Sequence, residues 1–250
     1  PSNPLIQADL AQPMAPGSAI GVIVEALRRR RDARRAAFTV LSCDNLQHNG
    51  QVLRDAVLAF AEMRDPALAR WIAEEASFPA TMVDRITPGT TNADRQELEA
   101  RHGLHDRWPV PCESFRQWVI EDRFTAGRPA WEDVGAQMVP DVGPYEFMKL
   151  RLLNASHHTV AGLGRLLGHA HVSDCMADAD LAGLMRAVMD RETGPTVPPV
   201  PGVDIEAYKR TLVARFANPA IRDTPGRIVA DGSPNILLDP LRDRLRRGQS

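Results

Sequence analysis

Lysine is almost missing from this chain: of 30 basic residues, only Lys149 and Lys209 are not arginine. Also missing are an initiator Met, a signal-peptide pattern and any apolar run near the roughly 18 residues of a membrane span, so no membrane partner is expected. Cysteine is scarce. Cys43, Cys112 and Cys175 are odd in number and widely spaced, which argues for reduced thiols and a cytoplasmic setting, not a disulfide framework. Charge of one sign is missing too. Thirty basic against 32 acidic residues leave a net charge of -2, so neither a nucleic-acid nor a membrane-surface footprint is expected. What is present is a globular chain of 250 residues, 44% hydrophobic, long enough for one large domain or two ordinary ones.

The few lysines matter because a desolvated amine can shed its proton near neutral pH, whereas a guanidinium cannot. Each lysine is a candidate for chemistry, with a plain surface role as the alternative for Lys209.

Along the chain, residues 4–16 read as irregular. Residues 17–36 have helical spacing at Ile20, Val24 and Leu27 and end in Arg28–31, Arg34 and Arg35. That basic run resembles a nucleic-acid patch, but cations at a helix C-terminus explain it more simply. The apolar, β-branched run AFTVLSC (37–43) is expected to be a buried parallel strand, followed by helices over 50–62 and 66–76. A strand over 81–86, a helix over 92–102 and an aromatic, β-branched stretch over 112–120 complete an α/β half. From residue 145 long helical periodicities dominate, over 145–167, 177–190, 205–216 and 234–247, with a Pro-rich connector at 194–202. The fold class expected is α/β followed by all-α.

Two motifs dissolve on inspection. Gly162, Gly164 and Gly168 imitate a dinucleotide fingerprint but follow a helix rather than a strand, so close helix packing is the better reading. His169, His171 and Cys175 lack the usual zinc-ligand spacings, and no metal is expected. The segment YEFMKLRLLNASHH (145–158) survives. On a straight helix at about 100° per residue with Lys149 at zero, Glu146 falls near 60°, His157 near 80° and Asn154 near 140°, while Arg151 points away. An amine, a carboxylate, an imidazole and an amide among leucines are costly to bury unpaired. The alternative is a solvated face with a Glu–Lys pair worth about 0.2–0.5 kcal/mol. A second polar cluster, Asp44, Asn45, Asn49, Asp84 and Arg85, follows the two expected strands, where α/β sheets bind ligands. Helix capping accounts for one of these residues, not for all.

SCDNLQHNG (42–50), TMVDRITP (81–88), CESFRQWVIED (112–122) and MKLRLLNASHH (148–158) resemble, in order, motifs of the polyol-specific long-chain dehydrogenases. PTVPPVPGVDIEAYKRTLVARFANPAIRDT (195–224) strengthens the likeness to the members that act on mannitol. The resemblance implies a Rossmann-type domain over 1–140 and a mainly helical domain over 141–250, with the active site in the cleft between them. It implies a nicotinamide cofactor, NAD with NADP as the alternative, a small polyol or ketose substrate, no catalytic metal and a monomer. By motif, Lys149 is the general base, and Asn45 and Asn154 donate to the developing alkoxide. His157, Asp84 and Arg227 contact substrate, and Glu146 relays protons. The reaction implied is D-mannitol to D-fructose, with hexuronate reduction as the alternative.

Two departures qualify this. Members begin with a strand, Gly-rich turn and helix that hold the cofactor and read its ribose, and they continue past a position equivalent to residue 250. A truncated chain, lacking the first dinucleotide-binding unit and with little activity alone, is therefore expected, and an inactive fragment is the reading from outside the enzyme class. In DGSPNILLD (231–239), Asn235 and Ile236 stand where many members have a substrate-holding lysine and a proline.

Overall fold

The Asn3 side chain accepts from the Leu5 amide and Pro4 takes the first helical position, which together start α1 (Pro4–Ala11). The computed structural model, which describes residues 3–248, thus has a helix where irregular chain was expected. Ile6 and Leu10, one turn apart on α1, pack against the neighbouring core. Contacts divide the chain into two compact units. One is the chain up to Val83 with Gln117–Gly143; the other is Asp84–Arg116 with the chain from Pro144 onward.

In the first unit, Ser18 caps α2 (Ala19–Asp32), and α3 (Asn49–Arg64) runs to Asp65, which caps α4 (Pro66–Glu75). Their inward faces supply Val24, Leu27, Val57, Phe60, Leu68 and Ile72, all buried in one core. Burying side chains of this size contributes roughly 1.5–3 kcal/mol each. The basic end of α2 is tied down by carboxylates. Buried Glu25 accepts from Arg28, Arg29 and Arg64, and the Arg28 hydrogen bond leads in holding its carboxyl at about 2. Ion pairing, added to the helix dipole, accounts for Arg28, Arg29 and Arg31, and Arg30 donates to the Ala36 carbonyl.

Three strands, β1 (Thr81–Asp84), β2 (Gln117–Glu121) and β3 (Gln137–Val139), form the sheet in the order β1-β2-β3. β2 and β3 are parallel, with Ile120 opposite Met138. Residues 37–43 do not join it, contrary to expectation. The Val40 amide donates to the Ser77 carbonyl at 2.9 Å, and burial of Ala37 and Val40 anchors the rest of the segment. An apolar run reports burial; a strand also requires a ladder partner in register.

In the second unit, a Thr91–Asp94 capping box opens α5 (Asn92–His102) and left-handed Gly103 closes it, at the bounds the sequence suggested. The helical run then comprises α6 (Gly143–Lys149), a π-helical turn (Leu150–Asn154) and α7 (Ala155–Leu166). α8 (Val172–Ala177) and α9 (Ala179–Ala187) follow, α9 leading into a second π segment, Val188–Thr193. α10 (Ile205–Phe216), α11 (Pro225–Asp231) and α12 (Asn235–Arg246) complete the unit. Met148, Leu152, Met185, Met189 and Leu212 are fully buried in it. Among the described residues no helix is long and apolar enough to cross a membrane.

Candidate active site

The π turn alters the face on which the polar groups of 145–158 meet. A π turn takes about 4.4 residues instead of 3.6, or about 82° per residue, so five such steps from Lys149 bring Asn154 to about 50° and His157 back to about zero. Glu146 stays near 60° and Arg151 near 160° by the same geometry. A straight helix spreads the four groups over about 140°; the π turn gathers them within about 70°. Arg151 turns to other partners: its guanidinium lies 2.5 Å from Asp243 and 4.6 Å from the Phe147 ring centre.

Lys149 and Glu146 are buried, at 9% and 8% exposure. Burial is the leading cause that pushes the Lys149 amine below its usual 10.5. Arg215 adds to that push, while Asp84 and Glu146 oppose it. Lys209 goes the other way. Burial lowers it too, but its hydrogen bonds to Glu206 at 2.8 Å and Asp190 at 3.1 Å outweigh that and leave it raised. The two lysines therefore separate by environment, one held toward its neutral form and one locked as a cation.

Around Lys149 stands a charge cluster of which the sequence pointed only to Asp84, and not to Arg215, Glu113 or Tyr208. Arg215 on α10 donates to Asp84 from Nη1 at 3.1 Å and Nη2 at 2.6 Å, and to Glu113 from Nε at 3.0 Å and Nη2 at 2.7 Å. Its guanidinium lies 4.0 Å from the Phe115 ring centre. The Tyr208 hydroxyl, two turns before Arg215, donates to Asp84 at 2.7 Å, and Glu113 also accepts from the Ile86 amide at 2.6 Å. All four polar residues are buried. Asp84 thus accepts from three donors, two on Oδ2 and one on Oδ1, which fix its orientation and leave one acceptor site on Oδ1. Two carboxylates and one guanidinium leave the cluster one negative charge in surplus.

His157 and Arg227 meet through Asp223. The His157 ring stacks on Phe216 at 4.7 Å, with Nε2 3.9 Å from an Asp223 oxygen. Burial drives its pKa down from 6.5 to about 4, against the opposing pull of Asp223, so the imidazole is neutral at pH 7. Arg227 is forked onto Asp223, Nε to Oδ1 at 2.9 Å and Nη2 to Oδ2 at 2.7 Å. Lys149, Glu146, Asn154, His157, Asp84 and Arg227 thus all belong to the second unit.

Asn45 belongs to the first. It lies exposed on the loop after residue 43, and buried Asn49 fastens the base of that loop. The Asn49 amide donates to the Asp44 carbonyl and the Thr81 carbonyl, both at 3.0 Å, and its oxygen accepts from the Thr81 amide at 2.9 Å. Asn49 is thereby a loop staple, and Asn45 lies exposed four residues before it. Gly50 follows, where a Cβ would stand 2.7 Å from the backbone of Phe78 and Pro79.

The remaining motifs have structural roles. Gly164 lies against Cys175 of α8 with no space for a Cβ, and Gly168 takes a left-handed turn at φ +83. The His171 amide donates to Asp174 at the start of α8, and His169 Nε2 lies 3.6 Å from Asp178. Among the described residues no group of three or more His, Cys, Asp or Glu is arranged to hold a metal ion.

Residues 8–133 match the mannitol dehydrogenase Rossmann domain, and residues 141–250 match the mannitol dehydrogenase C-terminal domain. A D-mannonate oxidoreductase of Escherichia coli is 49% identical over 100% of this chain and 52% of its own length. A mannitol 2-dehydrogenase of Cereibacter sphaeroides is 47% identical over 99% of this chain and 52% of its own. A solved structure of Pseudomonas fluorescens mannitol 2-dehydrogenase, a ternary complex with NAD and D-mannitol, has a TM-score of 0.89 at 49% identity. That match covers 99% of this chain and 51% of the other. The chain spans about half the length of the curated relatives it matches.

Proposed function

This chain belongs to the mannitol dehydrogenase family, and on that premise we propose that the complete protein interconverts a sugar alcohol and a ketose, D-mannitol and D-fructose, with Lys149 as general base. The observation that carries the reading is the burial of Lys149 on one narrow helical face with Glu146, Asn154 and His157. A lysine held toward its neutral form can take the alcohol proton during oxidation and return it during ketone reduction. Asn154 donates to the oxygen as it becomes an alkoxide, which favours the transition state over the bound alcohol. The same role for Asn45 rests on its motif. Asp84, held by Arg215 and Tyr208, accepts from a substrate hydroxyl, and neutral His157 with Arg227 orients the rest of the chain of hydroxyls. Glu146, one turn before Lys149, passes the proton onward.

The cofactor proposed is NAD, which is bound in the Pseudomonas fluorescens relative and supplies hydride acceptance; NADP is the alternative. The loop stapled by Asn49 fits part of such a seat, because it holds exposed Asp44 and Gln47, whose side chains suit a carboxamide or ribose. Residues 1–140 are taken as the cofactor-binding domain and 141–250 as the substrate domain. A monomer in a cytoplasmic setting is part of the reading, and the three free cysteines are consistent with it.

A second reading, reduction of a hexuronate, is favoured by the D-mannonate oxidoreductase relative. The test of the chemistry common to both is Lys149→Ala in the complete protein. The expected outcome is loss of at least about 100-fold in kcat with an unchanged circular dichroism spectrum. Near-normal turnover overturns the assignment.

A further inference from the structure

The two readings differ by one charge, because a hexuronate carries a carboxylate where the ketose carries a hydroxymethyl group. A carboxylate is bound well by a guanidinium whose charge is uncompensated, and the charge of Arg227 is already met by carboxylates. Buried Asp223 takes two of its nitrogens in a fork, and Asp231 stands 3.7 Å from a third. The Thr224 amide donates to Asp223 at 3.0 Å and fixes the carboxylate from below. His157 is neutral, and Asn235 is an amide that accepts from Arg242, whose own charge is met by Asp239 at 2.9 Å.

We propose that Asp223 sets the charge selectivity of this site: by neutralising Arg227 it makes the site accept an uncharged polyol or ketose and disfavour a hexuronate of the same length. This rests on the polyol–ketose reading above. Asp223 acts through Arg227 and is a positioning residue. The forked pair keeps the guanidinium plane still, so the three N–H groups left on Nη1 and Nη2 can donate to substrate hydroxyls. An anionic substrate at the same place meets the repulsion of Asp223 and Asp231.

The test compares D-fructose and D-fructuronate as substrates of the complete protein with NADH. The unsubstituted protein is expected to prefer D-fructose. Asp223→Asn keeps the shape and the Thr224 contact but removes the compensating charge. It should raise the ratio of kcat/KM for fructuronate over fructose by about 10-fold or more, since a charge-assisted contact becomes available. Adding Arg227→Gln to that variant should return the ratio to its starting value, which general loosening of the fold would not do. If Asp223→Asn does not fold, Arg227→Gln alone decides. Equal losses on both substrates support the proposal, and a loss confined to fructuronate overturns it. An unchanged ratio in folded Asp223→Asn, or a native preference for fructuronate, also overturns it. Silence of the unsubstituted protein with both ketones overturns the polyol–ketose reading and this proposal with it, a result separate from an unchanged ratio in an active protein.

Discussion

Replacing Arg215 with Met strips the common partner from two buried carboxylates. Asp84 and Glu113 are 1% and 5% exposed, and Arg215 is within 3.1 Å of both. Removing one side of a buried ion pair costs about 3–5 kcal/mol, because the charge left behind is neither hydrated nor compensated. Here two charges are left facing each other, so the upper end applies, about 5 kcal/mol. The Phe115 stacking lost with the guanidinium adds about 0.5–2 kcal/mol. For a protein of this size, about 5 kcal/mol lowers Tm by roughly 10–20 °C. Arg215→Lys keeps a charge but cannot fork onto both carboxylates, and should lose roughly half as much. Combining Arg215→Met with Asp84→Asn and Glu113→Gln should recover much of the loss, since no uncompensated charge then remains. Thermal and urea unfolding of the complete protein, followed by circular dichroism, reads all three. An Arg215→Met variant within about 1 kcal/mol of the parent would refute the account of a charge cluster sustained by mutual compensation. In material that stays folded, loss of the Arg215 cation should also let the Lys149 pKa rise. On the proposed general-base role of Lys149, the acid limb of alcohol oxidation should then move to higher pH.

His157 titrates near 4 in the folded protein and near 6.5 unfolded, so between those values the unfolded chain takes up a proton that the folded chain refuses. The neutral-imidazole contribution is complete above pH 6.5 and is lost as pH falls toward about 4, on the order of 3 kcal/mol in all. His157→Gln should flatten that part of the stability–pH curve, and parallel curves for parent and variant would refute it. Gly50→Ala should destabilise by about 1–3 kcal/mol, because the new methyl meets backbone at Phe78 and Pro79 that cannot step aside. This outweighs the roughly 1 kcal/mol of helix propensity alanine brings, and a higher Tm for the variant would contradict the close approach.

Local punctuation was legible wherever a residue acts on its own neighbours. Thr91 with Asp94 and then Gly103 mark both ends of α5, and Asp65–Pro66 marks the start of α4. The Asn3–Pro4 pair carried the same kind of signal for α1 and was outweighed by the irregular look of residues 4–16. Residues 37–43 show the opposite failure. An apolar run has the same composition whether or not a neighbouring strand comes into register with it. The helical wheel placed Glu146 beside Lys149 correctly, since both precede the π turn, but set Asn154 too far round.

The residue order alone establishes the family and the motif around Lys149, because a motif is a local property that survives any fold containing it. It also singles out that lysine, since scarcity is a matter of composition. Folding alone decides what the lysine is worth chemically. Arg215 reaches Glu113 across 102 residues and Asp84 across 131, and no spacing rule spans such distances. Charge compensation and desolvation depend on separation in space and on the exclusion of water, so Lys149, lowered by burial, and Lys209, raised by its partners, become different groups only once the chain is packed.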